Sequence, residues 1–123
     1  MPAVAVIGAS ADRRKFGNKA VRAYLHQGWT VYPVNPAATL VEGLRAVASV
    51  RELPGPVARI LLYVPPKIGL ELLPDIARLP PAELFVNPGA ESDELLARAR
   101  ELGLDPIEAC AIVDVGESPS AFS

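Results

Sequence analysis

Four apolar runs in this chain stop in the same way. Ala3 to Gly8 ends at its glycine, "WTVYPVNP" at Asn35-Pro36, "ARILLYVPP" at Pro65-Pro66, and "AELFVNPG" at Asn87-Pro88-Gly89. Aliphatic and β-branched residues with little polar alternation read as strands covered on both faces, which is the pattern of a parallel sheet. Glycine and proline end such strands, because proline donates no ladder hydrogen bond. Between the runs the apolar spacing becomes helical. Ala20, Val21, Tyr24 and Leu25 precede Gly28; Ile68, Leu72, Leu73 and Ile76 follow the proline pair; Leu95, Leu96, Ala99 and Leu102 precede Gly103. Strands alternating with helices at this pitch imply right-handed βαβ units, so the expected architecture is a doubly wound, mostly parallel α/β sheet with helices on both faces.

The intervening segments are less regular. "AATLVEGLRAVASVRELPGP" predicts a short strand near Leu44 to Val47 and one helical turn near Ser49 to Leu53. Pro65-Pro66 can open the second helix, but Pro74 lies inside its pattern and is expected to kink or split it. Ser92 caps the third helix, with Asp93 and Glu94 at its positive end. A last strand is expected from Ile107 to Val113. Residues 1–115 then form one domain, and 116–123 a polar C-terminal tail of the kind that stays disordered.

In a sheet of this type ligands bind beyond the carboxyl ends of the strands, where the winding reverses. Those ends carry small, rigid or amide-bearing groups and no general acid or base. The loop after the first strand, "GASADRRKFG", resembles a phosphate-binding turn, yet it lacks the G-x-G-x-x-G spacing of a dinucleotide fingerprint. The acidic residue that would hold the ribose hydroxyls of NAD is also missing from the end of the second strand, which reads Asn35-Pro36. What remains is a tight turn at Gly8, exposed amides, the Ser10 hydroxyl and the positive end of a helix. Arg13, Arg14 and Lys15 add charge that suits a ligand with a further phosphate on its adenosine ribose.

Composition narrows the partners. At 123 residues the chain is long enough to bury its own core, and its formal net charge of -2 does not favour nucleic acid or an anionic membrane surface. No apolar run approaches a membrane span, and no secretory pattern opens the chain, so a soluble cytoplasmic protein is expected. One cysteine, Cys110, and one histidine, His26, form neither a disulfide nor a zinc cluster.

"VAVIGAS", "KFGNKAVRAYLHQGWTVYPVNP", "GLRAVASVRELP" and the "PG" before the last helix resemble the small single-domain CoA-binding protein family. That family is similar in fold to the CoA-binding domain of the succinyl-CoA synthetase alpha subunit. The resemblance implies a Rossmann-like domain that binds coenzyme A or an acyl-CoA across its strand ends, with no catalytic activity of its own. It further implies that Gly8, Ala9 and Ser10 line the phosphate turn and that Lys15, Phe16 and Gly17 close over it. Asn35, Pro36, Val64, Pro65 and Pro66 would flank the nucleotide and pantetheine path, with Asn87, Pro88 and Gly89 at the neighbouring strand end. The family usually has a tryptophan and Gln-Pro-Gly where this chain reads Phe85-Val86-Asn87-Pro88-Gly89, and an arginine where Ala109 precedes Cys110.

Other residues have plainer readings. His26 is expected to be structural or solvent-facing, and Cys110 to be a small buried hydrophobe on a strand rather than an exchanging thiol. Trp29, Tyr32 and Tyr63 are expected to pack the sheet. The alternative assignments are an NAD(P)- or nucleotide-binding subunit of an enzyme, or a ligand-sensing regulatory protein.

Overall fold

The structure, a computed structural model, describes residues 2–123. Its seven strands are β1 (Ala3–Ile7), β2 (Thr30–Val34), β3 (Leu40–Val41), β4 (Leu44–Arg45), β5 (Arg59–Leu62), β6 (Glu83–Val86) and β7 (Pro106–Glu108). The helices are α1 (Phe16–His26), α2 (Pro66–Ala77), α3 (Asp93–Glu101) and the short α4 (Ala111–Asp114). Single 3-10 turns cover Val50–Glu52 and Pro119–Phe122.

Five strands form one sheet in the order β2-β1-β5-β6-β7, with every pairing parallel. The chain steps from β1 outward to β2, then returns to the other side of β1 to lay down β5. The winding therefore reverses between β1 and β5, and the crevice beyond their carboxyl ends is where such sheets take ligands. Pro33 lies in β2, a sheet-edge strand, where its missing N–H deprives no neighbouring strand.

Alternate residues of the central strands face opposite layers. Val4, Val6, Leu61 and Phe85 pack against α1 and α4, while Ala5, Ile60, Leu62 and Leu84 pack against α2 and α3. Tyr24 is fully buried in the first layer; its hydroxyl donates to the Ala111 carbonyl (2.8 Å) and accepts from Arg59 (3.1 Å). Arg59 also pairs with Glu83 and Asp114 at 3.0 and 2.8 Å, so one guanidinium joins β5, β6, α1 and α4.

Several elements differ from the sequence reading. The segment expected as a strand from Ile107 to Val113 is a strand only to Glu108; Cys110 is the N-cap of α4 and the rest is helix. Pro74 does not split α2, which continues through it. Its position is exposed, so water can reach the carbonyl that the missing N–H would have bonded. Leu44–Arg45 does form a strand, but as half of an antiparallel hairpin with Leu40–Val41. The C-terminal tail folds rather than remaining loose, and its 3-10 turn packs on α1. Among the described residues no helix is long and apolar enough to cross a membrane.

Candidate functional site

The site begins with a contact between two glycines. Gly8, directly after β1, has φ +89, and a Cβ there would lie 2.7 Å from the Tyr63 carbonyl oxygen. At the start of α1, a Cβ on Gly17 would overlap the Gly8 carbonyl oxygen. Only two residues without side chains allow β1, β5 and the first turn of α1 to approach this closely. The helix is thereby aimed end-on at the switch point.

That helix end is open. Its N-cap, Lys15, makes no capping bond, and its first turn holds no acidic residue. Among the described residues the Phe16 and Gly17 amides find no acceptor. Unsatisfied amides and the positive end of the helix dipole form an anion site without further side chains.

A cleft of about 470 Å³ lies in front of it. Of the residues expected at the site, Gly8, Ser10, Lys15, Phe16, Gly17, Asn35, Val64, Pro65, Pro88 and Gly89 line this cleft. Tyr63 and Ala90 also line it and were not anticipated. A second recess of about 250 Å³ adjoins it beyond Gly8, Asn35 and Val64. Pro36 lines that recess with the apolar side chains of Val50, Ile68 and Leu72. Together the two hollows offer a polar end and an apolar end.

Other expected site residues act from behind or elsewhere. Ala9 is fully buried in the core, and Pro66 begins α2. Asn35 lines the cleft, but its amide already braces the turn: Nδ2 donates to the Ala9 carbonyl (2.7 Å) and Oδ1 accepts from the Ala37 N–H (2.7 Å). Asn87 is buried, with Nδ2 donating to the Leu62 carbonyl (3.1 Å) and Oδ1 accepting from the Ala111 N–H (2.9 Å). It joins β5 to α4, and both halves of its amide have protein partners.

The loop cations separate into two groups. Arg14 lies along the Asp12 carboxylate with two side-chain bonds of 3.0 Å, and Arg13 approaches Glu42 at 3.3 Å. Lys15 makes no ion pair among the described residues and lines the cleft. Both paired guanidinium groups remain exposed, Arg13 by 65% and Arg14 by 90% of the side chain, and exposed pairs are weak enough to yield to a phosphate. Ser10 accepts from the Asp12 N–H through its Oγ (3.0 Å), which leaves the hydroxyl proton free to donate.

Hydrogen bonds from the Arg14 side chain and backbone hold the Asp12 carboxyl at a pKa of about 2. This depressed value makes the pair's contribution to loop order fully present above the ordinary carboxylate range, and lost as pH falls through about 2. In an NMR titration the Asp12 carboxyl should accordingly move near pH 2; a midpoint at the ordinary aspartate value of 3.8 would mean that the loop does not hold this pair.

Among the described residues the Tyr63 hydroxyl is buried without a hydrogen-bond partner, and burial drives its pKa far above the ordinary phenol value. Cys110 is half-buried at the start of α4 rather than on a strand. His26 is exposed and pairs with Glu117. Asn18, Arg22 and Glu42, which support the loop from outside the cleft, were missed; nothing in their spacing distinguishes them from surface helix and turn residues.

Known proteins share the family and the fold of this chain. The chain matches the family described as CoA binding domain over residues 2–116. A conserved hypothetical protein from Pyrococcus furiosus has the same fold at a TM-score of 0.84 and 35% identity, with 93% of this chain and 99% of that one covered. An acetyl-coenzyme A synthetase from Ca. Korarchaeum cryptofilum, solved with phosphate and ADP, aligns with a TM-score of 0.75 and 30% identity over 87% of this chain and 25% of its own. The alpha subunit of an ADP-forming acetate–CoA ligase from Pyrococcus furiosus is 43% identical over 65 residues, which is 52% of this chain and 14% of the ligase subunit. The chain thus spans a small part of the enzymes it resembles and nearly all of the small protein. By the extent of the match and the fold beneath it, this chain belongs to the CoA-binding domain family.

Proposed function

We propose that the chain binds coenzyme A or an acyl-CoA in the cleft at the ends of β1 and β5, as a binding module with no catalytic chemistry of its own. The observation that carries the reading is the open first turn of α1, held against Gly8 with Lys15 on its rim. The pyrophosphate would accept from the Phe16 and Gly17 amides and from the Ser10 hydroxyl, with the Lys15 ammonium alongside. Arg13 or Arg14, released from its carboxylate partner, would reach the ribose phosphate. The adjoining apolar recess suits a base or an alkyl segment. Asn35 in place of an acidic residue removes the usual ribose anchor of NAD. Of the titratable residues at the cleft, Lys15 is exposed and Tyr63 has its hydroxyl buried, so they do not form a nucleophile and base pair.

Calorimetric titration with CoA, dephospho-CoA and NAD at one salt concentration tests the proposal. CoA should bind most tightly, and Lys15→Gln should weaken it by about tenfold, the loss of one charge-assisted contact. That loss should shrink at high salt, because the lysine is exposed and its field is screened. Equal affinity for CoA and NAD would overturn the assignment.

A further inference from the structure

Arg22 lies on α1, one turn beyond Asn18, and does not line the cleft. Its guanidinium nevertheless has three oxygen partners in three parts of the chain. Nε donates to Asn18 Oδ1 (2.7 Å), and Nη2 donates both to the Arg13 carbonyl (2.8 Å) and to the Phe122 carbonyl (2.6 Å). The same group lies 5.7 Å from the centre of the Phe122 ring.

Asn18 carries the connection inward. It is fully buried, and its Nδ2 donates to the Ser10 carbonyl (2.8 Å) and to Glu42 Oε2 (3.0 Å). An amide with a guanidinium at one end and two acceptors at the other has a single satisfactory orientation. Ser10 and Arg13 are thus both held by one chain of bonds that starts within residues 117–122. Those residues are themselves fastened to α1: the Glu117 carboxylate pairs with His26 and accepts from Gln27 Nε2 (2.6 Å). Phe122 meets His26 edge-on, with ring centres 6.4 Å apart.

The remaining ties of the loop are short-range, within Ser10, Asp12 and Arg14, from the Lys15 N–H to the Asp12 carbonyl, and from the Asn18 and Lys19 N–H groups to the Lys15 carbonyl, apart from the Arg13–Glu42 pair. Such contacts shape the turn and join Lys15 to α1, but they do not hold residues 10–14 against the helix. We infer that Arg22 is a positioning residue through which residues 117–122 hold the loop Ser10–Lys15 in its anion-receiving shape, so that the C-terminal segment tunes affinity in a cleft it does not line. This inference rests on the proposed function, and its physical basis is a continuous set of named hydrogen bonds rather than proximity alone.

The test uses three full-length variants: Arg22→Lys, the double variant Glu117→Ala/Phe122→Ala, and Arg98→Lys on α3 as a control. Lysine keeps the charge but cannot reproduce the guanidinium's geometry. CoA affinity and hydrogen exchange of the ligand-free proteins are measured for each. In the first two variants CoA should bind about tenfold more weakly. Exchange should speed up in peptides covering Ser10 to Asn18 while β5 and β6 keep wild-type protection. The control should match wild type in both readouts. Unchanged loop exchange and affinity would overturn the inference, as would a uniform rise in exchange across the sheet, which is the signature of a merely structural tie. If wild type fails to bind CoA, the proposed function fails, and loop exchange still decides whether the C-terminal segment holds the loop.

Discussion

Gly17→Ala is expected to weaken CoA binding by at least about a hundredfold while leaving a folded, less stable protein. The added methyl would occupy the place of the Gly8 carbonyl oxygen, and that atom is backbone, so neither partner can turn aside as a side chain would. The helix start and the Gly8 turn must separate. Charge-assisted hydrogen bonds are worth about 1.5–3 kcal/mol each, so displacing the Phe16 and Gly17 amides from a phosphate gives the predicted loss. Relieving such an overlap typically costs about 1–3 kcal/mol of stability, partly offset by the better helix propensity of alanine. Gly8→Val should behave similarly, since the position combines φ +89 with a 2.7 Å approach to the Tyr63 carbonyl. Calorimetry with CoA, run beside a denaturant melt, measures both quantities. Normal affinity in folded Gly17→Ala would place the phosphate elsewhere.

The opposite outcome is expected at Asn87. Asn87→Ala should destabilise the protein by about 2–4 kcal/mol, because it orphans the buried Leu62 carbonyl and the Ala111 N–H at once. CoA affinity, measured under conditions where the variant is folded, should change by less than about threefold, an energy well below that of one hydrogen bond to a charged group. Urea unfolding and calorimetry give the two values. A variant of native stability with greatly weakened CoA binding would mean that the Asn87 amide turns toward the ligand.

Asn35 and Asn87 show where reading from sequence ends. Both precede a proline after an apolar run, and both were equally good site candidates. One lines the cleft, and the other is buried as a tie to α4, a helix that the sequence did not announce. Ile107 to Val113 is apolar enough for a strand, and a short apolar run cannot by itself be told from a buried helical turn. Local signals succeeded where backbone geometry depends on the residue type itself. Gly8 and Gly17 bracket the loop because no other residue fits, and Ser92 caps α3 by accepting from the Leu95 N–H. Charge was legible by position but not by pairing. The pairing of Arg13 with Glu42 depends on the β3–β4 hairpin, and that of Phe122 with Arg22 on the folding back of the C-terminal segment, so neither follows from local spacing.

Backbone amide NMR with added CoA tests the central claim most directly. The Phe16 and Gly17 amide signals should show the largest shifts, moving downfield as they gain a phosphate acceptor, with smaller changes at Gly8, Asn35 and Val64. Residues around Ala82 and Asp105, at the opposite end of the sheet, should not move. Saturating CoA that leaves the Phe16 and Gly17 signals in place, or shifts the opposite end instead, would contradict the account.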